Sequence, residues 1–122
     1  MDPHELGKLG EDLAANYLID KGYRILERNW HSGHKEIDII AMDDDMLVIV
    51  EVKTRKSVDY GDPDIAVGKD KQQMLIWAAD SYVRYKRLDV EVRFDILSIV
   101  VTDGAPEIEH LEDAFIPRCN QR

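Results

Sequence analysis

The sequence has little of several features that define large classes of proteins. Its single cysteine, Cys119, excludes an intrachain disulfide, and the histidines lack the paired spacing that zinc sites need. No segment approaches the roughly 18 apolar residues of a membrane span. No basic stretch followed by an apolar run marks a signal peptide. We therefore expect a cytoplasmic protein that does not contact a membrane.

Positive charge is also scarce. Lys and Arg number 16 against 25 Asp and Glu, which leaves a net charge of -9. Proteins bind nucleic acids largely by neutralising phosphates, so a strongly acidic surface does not attract them as a whole. A nucleic-acid-binding function therefore requires a local basic patch, or a partner that supplies one.

The length and the hydrophobic content of the chain fit one compact domain. Its 122 residues are 44% hydrophobic, which is enough for a core of ordinary size. We predict a single domain over residues 1–122, with a core over about 5–101 and an acidic C-terminal tail over 102–122. The acidic surface offers a docking site for a basic protein partner.

Hydrophobic periodicity predicts the order helix, three strands, helix, strand. Apolar residues recur at helical spacing over about 5–21 and 69–85. Alternating or continuous apolar runs predict strands over about 23–30, 36–42, 46–54 and 90–101. This order is typical of an α/β fold in which helices cover a small mixed sheet.

Two glycines and two tryptophans carry expectations about packing. Gly10 lies in the middle of the first helix, where the missing side chain indicates close approach to a neighbouring element. Gly22 occupies the position of a C-terminal helix cap. Trp30 and Trp77 have two interpretations, base stacking or core packing, and core packing is the one that we favour.

A predicted hairpin of the second and third strands brings two carboxylates and a lysine together. If its centre lies between Asp44 and Asp45, residues whose numbers sum to 89 face each other, and Asp38 opposes Glu51. Opposed Cβ atoms lie about 5 Å apart, and Lys53 follows on the same face. A slip of one residue would send one strand's side chains to the other face.

Two opposed carboxylates repel each other unless a cation compensates them. Mg²⁺ or Mn²⁺ suits Asp38 and Glu51, because such an ion takes one or two carboxylates and fills its other positions with water and phosphate. Water on a divalent cation becomes acidic enough to act as a nucleophile. Lys53 can orient that water or neutralise the phosphate, and Glu11 can add a third carboxylate. The plain alternative is a solvated pair at a strand end.

Basic residues gather near these acids in the sequence. Lys35 precedes them, Arg55 and Lys56 follow them, and Lys71 and Gln72 open the second helix. We expect these residues to bind nucleic acid while the rest of the surface stays acidic. Arg55 and Lys56 also fit an ordinary solubilising role, and Gln72 fits a helix surface.

Several stretches, in the same order, resemble the YraN-like family of small bacterial proteins of unknown function. They are Gly7-Lys8-Leu9-Gly10-Glu11, Gly22-Tyr23, Asn29-Trp30, Glu36-Ile37-Asp38-Ile39-Ile40, Val50-Glu51-Val52-Lys53-Thr54-Arg55, Lys71-Gln72 and Arg93-Phe94-Asp95. That family is grouped with the PD-(D/E)xK nuclease superfamily and is similar to archaeal Holliday junction resolvases. The chain departs from the pattern at Ile37, where the superfamily's name has proline, and at Lys35, where the family tends to have glycine.

This resemblance implies a restriction-endonuclease-like α-β-β-β-α-β core and specific roles for four residues. Asp38 and Glu51 would bind the metal, Lys53 would be the catalytic lysine, and Glu11 would be an accessory acid. It implies hydrolysis of phosphodiester bonds in structured or branched DNA by a homodimer, since a junction has two cleavage points. The alternative is a non-catalytic module that binds nucleic acid or protein in a DNA repair or recombination complex.

Overall fold

The described part of the chain folds around one five-stranded sheet. The computed structural model describes residues 1–57 and 67–117, so Cys119 and the end of the predicted tail lie outside the described residues. The elements are α1 (Pro3–Asp20), β1 (Arg24–Ser32), β2 (Lys35–Asp43), β3 (Met46–Lys56), α2 (Lys69–Lys86), β4 (Glu91–Val101) and β5 (Glu107–Phe115). Their order confirms the predicted α/β fold with an α-β-β-β-α-β core, to which β5 is added.

The strands follow one another across the sheet in chain order. The β3–β4 pair is parallel, and the other three neighbouring pairs are antiparallel. A parallel pair needs a crossover connection, and α2 lies in that connection. Neither α1 nor α2, the two helices of the described residues, has the length and apolar character needed to cross a membrane.

The first helix has sequence-encoded ends. The Asp2 carboxylate accepts a hydrogen bond from the Glu5 amide at 2.8 Å, and the Glu5 carboxylate accepts one from the Asp2 amide at 3.2 Å. This capping box, with Pro3 at the first helical position, starts α1 two residues earlier than predicted. Gly22 follows the helix with a φ of 95°, which confirms it as the residue that ends the helix.

Gly10 brings α1 against the central strand. A Cβ built on Gly10 would overlap the side chain of Thr54, so a glycine is required for this approach. The predicted close contact is therefore confirmed, with β3 as the neighbouring element. Glu11, the next residue of α1, is carried toward the same end of β3 as Lys53.

The sheet buries side chains on both of its faces. Leu47 and Ile49 of β3 pack on the α2 side, and Val48 and Val50 pack on the α1 side. The four-residue apolar run predicts such a central strand, because only a strand covered on both faces buries consecutive residues.

The two tryptophans have different surroundings. Trp30 packs edge-on against the buried ring of Tyr82, with the ring centroids 5.2 Å apart, which confirms its predicted place in the core. Trp77 is 58% exposed, so the prediction of core packing is wrong for this residue. It lies about 200° around the helix from the buried Leu75, since each residue turns an α-helix by about 100°.

The segment predicted to be an acidic tail contains β5, which pairs with β4 at the edge of the sheet. The buried Asp95 of β4 holds it there. Its carboxylate lies 2.7 Å from Nε2 of His110 and accepts a hydrogen bond from the Asp113 amide at 3.0 Å. The acidic composition conceals this strand, because an edge strand can leave charged side chains in solvent.

Arg93 ties the same aspartate to two other elements. Its guanidinium donates to both oxygens of Asp95, at 2.9 and 2.8 Å, and to the Tyr23 hydroxyl at 2.6 Å. It also donates to Asp43 at the end of β2, at 3.2 Å. The resulting network connects β2, β4, β5 and the start of β1 at the end of the sheet opposite Lys53.

Candidate active site

The β2–β3 hairpin has the predicted register. Its ladder runs from Asp43 and Met46, next to the turn, to Ile39 and Val50. The residue numbers of each pair sum to 89, so the centre of the hairpin lies between Asp44 and Asp45, as predicted. The ladder ends one position before Asp38 and Glu51, however. These two acids therefore lie where the two central strands separate.

Asp38 occupies the space where the strands separate. Its Oδ2 accepts a hydrogen bond from the Val52 amide at 2.9 Å. Ile37 packs on the α2 side of the sheet and Ile39 on the α1 side, although regular alternation would place both on one face. The alternation of β2 thus changes at Asp38, and the simple common-face argument does not hold at this residue.

Glu51 is buried at the end of the apolar run of β3, with 9% of its surface exposed. Its Oε2 lies 3.3 Å from Nζ of Lys71, in the first turn of α2. The structure thus places Lys71 against the acid of the site itself. Lys53 follows Glu51 by two residues on a regular strand and is half-buried on the same face.

The electrostatics of Asp38 reflect its crowded position. Burial first, and the negative charge of Glu51 second, raise the pKa of Asp38 to about 7. The Val52 amide and the charge of Lys71 lower the pKa, and the charge of Glu11 raises it further. Asp38 therefore lies within electrostatic reach of acids from both α1 and β3.

Glu11 is held at the site by a residue that the sequence reasoning missed. Asn29 of β1 donates from Nδ2 to Glu11 Oε1 at 3.0 Å. Its φ of 51° is left-handed, a conformation that asparagine tolerates better than most residues. An asparagine within a predicted strand is a weak signal of such an irregularity, and Asn29 also belongs to one of the motifs that resemble the YraN-like family.

The other predicted nucleic-acid ligands are spread around the site. Gln72 donates from Nε2 to the Val67 carbonyl at 2.8 Å, before α2 begins. Lys56 donates to the Met1 carbonyl at 3.2 Å. Arg55 is half-buried near the end of β3, and Lys35 begins β2, paired in register with Ser32.

The donor set fits a hard divalent cation that keeps most of its water. Within residues 1–57 and 67–117, no group of three or more His, Cys, Asp or Glu side chains converges to hold a metal. Asp38 and Glu51 supply two carboxylates, and their mutual repulsion is the condition that a cation relieves. Mg²⁺ binds in this way, through one or two carboxylates and several waters.

Comparisons with known proteins match this chain along most of its length. A model of the uncharacterised protein family UPF0102 matches residues 10–99, a span that includes Glu11, Asp38, Glu51 and Lys53. A UPF0102 protein of Phocaeicola vulgatus is 48% identical over 114 residues, covering 93% of this chain and 94% of the relative.

Two further relatives give similar figures. A UPF0102 protein of Flavobacterium johnsoniae is 50% identical over 116 residues, covering 92% of this chain and 94% of the relative. A UPF0102 protein of Syntrophomonas wolfei is 47% identical over 112 residues, covering 91% of this chain and 97% of the relative. The chain belongs to the UPF0102 family, the YraN-like family that its motifs resemble.

Proposed function

We propose that this protein is a Mg²⁺- or Mn²⁺-dependent nuclease that hydrolyses phosphodiester bonds in structured or branched DNA. One observation carries the proposal. The Asp38 carboxylate is held against the β3 main chain beside the buried Glu51, and Lys53 follows on the same strand. The resemblance to PD-(D/E)xK nucleases supports it, because the same three residues match that motif.

The residues of the site have complementary roles in this proposal. When bound by Asp38 and Glu51, a divalent cation supplies an acidified water and offsets phosphate charge. The Val52 amide fixes the orientation of Asp38, and Lys71 holds Glu51 in place through their ion pair. Lys53 orients the attacking water or stabilises the charge that grows on the phosphate.

Cleavage assays with site variants test this function. The substrates are a four-way junction, a linear duplex and a single strand, each with Mg²⁺ or Mn²⁺. We expect Lys53→Ala to lower the cleavage rate roughly 100- to 1,000-fold, as the loss of one transition-state donor does. Asp38→Asn is expected to lower it at least as much, with the thermal transition of both variants retained.

Asp103→Asn is the matched control, because this exposed aspartate lies in the β4–β5 turn. It should cleave like the wild type. Equal cleavage by wild type, Asp38→Asn and Lys53→Ala would exclude the proposed site. A homodimer is also expected by analogy with resolvases, and sedimentation of the wild type with and without a junction measures it.

A non-catalytic docking module is the second candidate. The observation that favours it is β5, an edge strand on which Glu107 and Glu109 are exposed. A basic protein partner would be lost from pulldowns with the Glu107→Lys, Glu109→Lys double variant. It would be kept by the control variant Asp20→Lys, Asp45→Lys. Equal recovery by both variants would count against docking through β5.

A further inference from the structure

The C-terminal end of α2 carries a cluster of exposed positive charge in an otherwise acidic chain. Arg84, Lys86 and Arg87 lie within four consecutive positions, all exposed, with the exposed Tyr85 among them. Together with Trp77 these residues are called the α2 patch. It is a local basic patch of the kind that nucleic-acid binding by a protein of net charge -9 requires.

The aromatic residues of the patch are unusually exposed. Tyr85 is 73% exposed and Trp77 is 58% exposed. With Ser81 between them they occupy positions i, i+4 and i+8, so they share one face of α2. Exposed aromatic faces of this kind are platforms on which unpaired bases stack.

A groove adjoins this face. It has a volume of about 290 Å³ and is lined by Trp30, His31, Ser32, Ser81 and Tyr85. Pockets for drug-sized ligands have volumes of roughly 300–1,000 Å³. A groove just below that range suits a nucleobase, which is smaller than such ligands. Aromatic rings together with hydroxyl and imidazole groups match the flat faces and polar edges of a base.

The cations of the patch are available to phosphates. Arg84 pairs with Asp80 at 3.0 Å, and Lys86 lies 3.7 Å from Glu27. Both Arg84 and Lys86 are exposed, and such surface pairs contribute little stability, so a phosphate can replace the carboxylate. Within the described part of the chain, Arg87 forms no ion pair.

Favourable interaction with the helix dipole explains cations in a last turn. It does not explain two exposed aromatic rings beside a groove. The combination of rings, groove and cations distinguishes the α2 patch from ordinary helix-terminal charge.

The position of the patch relates it to the candidate active site. Lys71 contacts Glu51 at the start of α2, and Tyr85 follows 14 residues later. With a rise of 1.5 Å per residue, the two points are about 21 Å apart along the helix. The phosphates of one strand of B-DNA are about 3.4 Å apart along the helix axis, so that distance corresponds to roughly six nucleotides in B-form geometry.

We infer that the α2 patch binds single-stranded DNA that continues from the cleavage point, with bases stacked on Tyr85 and Trp77 and phosphates on Arg84, Lys86 and Arg87. The inference rests on the proposed nuclease function for its substrate. It assigns a second contact with that substrate, separate from the metal-binding acids. It also explains how a protein with excess negative charge holds DNA.

Fluorescence anisotropy in EDTA tests the base-stacking contact without cleavage. The probe is a fluorescein-labelled single-stranded DNA of about 15 nucleotides, within the site size of single-strand-binding domains. We expect the wild type to bind it and Tyr85→Ala to bind about tenfold more weakly, as the loss of one stacked base predicts. Tyr85→Phe, the matched control, keeps the ring and should bind like the wild type.

The salt dependence of the same binding tests the phosphate contacts. Each phosphate neutralised on a single strand contributes about 0.7 to the slope of log K against log salt. The triple variant Arg84→Gln, Lys86→Gln, Arg87→Gln should therefore reduce that slope by about 2. Far-UV circular dichroism of every variant checks that these exposed substitutions leave the fold unchanged.

Three results would overturn the inference: no binding by the wild type, equal binding by Tyr85→Ala, or tighter binding of RNA of the same sequence. A separate cleavage assay distinguishes this inference from the proposed function. Patch-dependent binding without cleavage would leave the inference standing and contradict the nuclease function. Cleavage of DNA, together with binding that the patch variants do not change, would contradict the inference and leave the nuclease function standing.

Discussion

At the residue scale, Asp38 combines structural and chemical tasks. Its side chain accepts a hydrogen bond from the Val52 amide of β3, at the point where the β2–β3 ladder ends. Burial and the charge of Glu51 raise its pKa to about 7. In the proposed metal-binding role, a proton and a divalent cation would compete for Asp38, because a metal binds the carboxylate form.

Metal affinity should therefore depend on pH near neutrality. We expect the affinity of the wild type for Mn²⁺ to fall about tenfold per pH unit below pH 7, because one proton must be displaced. Calorimetric titration at pH 6, 7 and 8 measures this. Affinity that does not change across the series would contradict the raised pKa.

The raised pKa of Asp38 should also make the free energy of unfolding of the metal-free protein depend on pH. Between the ordinary carboxyl pKa of 3.8 and about 7, folded Asp38 holds a proton that the unfolded chain has lost. Stability therefore falls as pH rises through that window. Asp38→Asn should reduce the fall, whereas Asp103→Asn should leave it unchanged.

At the scale of elements, one buried carboxylate reinforces the pairing of β5 with β4. Burial alone would raise the pKa of Asp95, but hydrogen bonds from His110, Arg93 and the Asp113 amide outweigh it. They hold the pKa below its ordinary value. Because these partners come from β4 and β5, Asp95 couples the edge strand to the rest of the sheet.

Asp95→Asn should loosen this end of the sheet. We expect a loss of about 3 kcal/mol in the free energy of unfolding at pH 7, because Arg93 and its partners lose a buried counter-charge. Urea denaturation measures the loss, and hydrogen exchange of the β5 amides should accelerate most. Faster exchange in α1 with β5 unchanged would contradict this account.

The pH dependence of that loss follows from the lowered pKa. The stabilising contribution of Asp95 is present above the unfolded pKa, near 3.8, and disappears as pH falls through the lower folded value. The difference between wild type and Asp95→Asn should therefore shrink at acid pH. The exposed Asp103→Asn is the matched control.

At the scale of the whole molecule, negative charge is concentrated in a compact fold. The net charge of -9 opposes compaction through self-repulsion, and the acids of the candidate site add to it locally. A divalent cation bound by Asp38 and Glu51, as proposed, would stabilise the folded state alone, because the unfolded chain does not bring these residues together.

Mg²⁺ should therefore raise the melting temperature beyond the effect of ionic strength. At a Mg²⁺ concentration of ten times Kd, the free energy of unfolding should rise by roughly 1.4 kcal/mol. This corresponds to a rise of about 3–6 °C in melting temperature for a domain of this size. Differential scanning calorimetry in MgCl₂ and in KCl of equal ionic strength measures it. The Asp38→Asn, Glu51→Gln double variant should melt at the same temperature in both salts. If MgCl₂ raised the melting temperature of this variant as much as that of the wild type, the effect would come from charge screening and not from the site.

Local chemistry along the chain determined much of this protein. The periods of the apolar residues specify two helices and four strands, the acidic turn sets the hairpin register, and Gly10 and Gly22 mark a close approach and a helix end. These features can be predicted because each depends on neighbouring residues. The hairpin register also places Asp38 and Glu51 at the same end of β2 and β3, with Lys53 two residues further along β3.

Only the tertiary structure decided the features that join distant residues. Asn29 contacts Glu11, Lys71 contacts Glu51, and β5 pairs with β4 and contacts Asp95. The exposure of Trp77 belongs to the same class, because apolar character alone does not state which face of a helix is covered. Such contacts depend on how elements pack across the sheet, and that arrangement minimises the free energy of the whole chain rather than of any one segment.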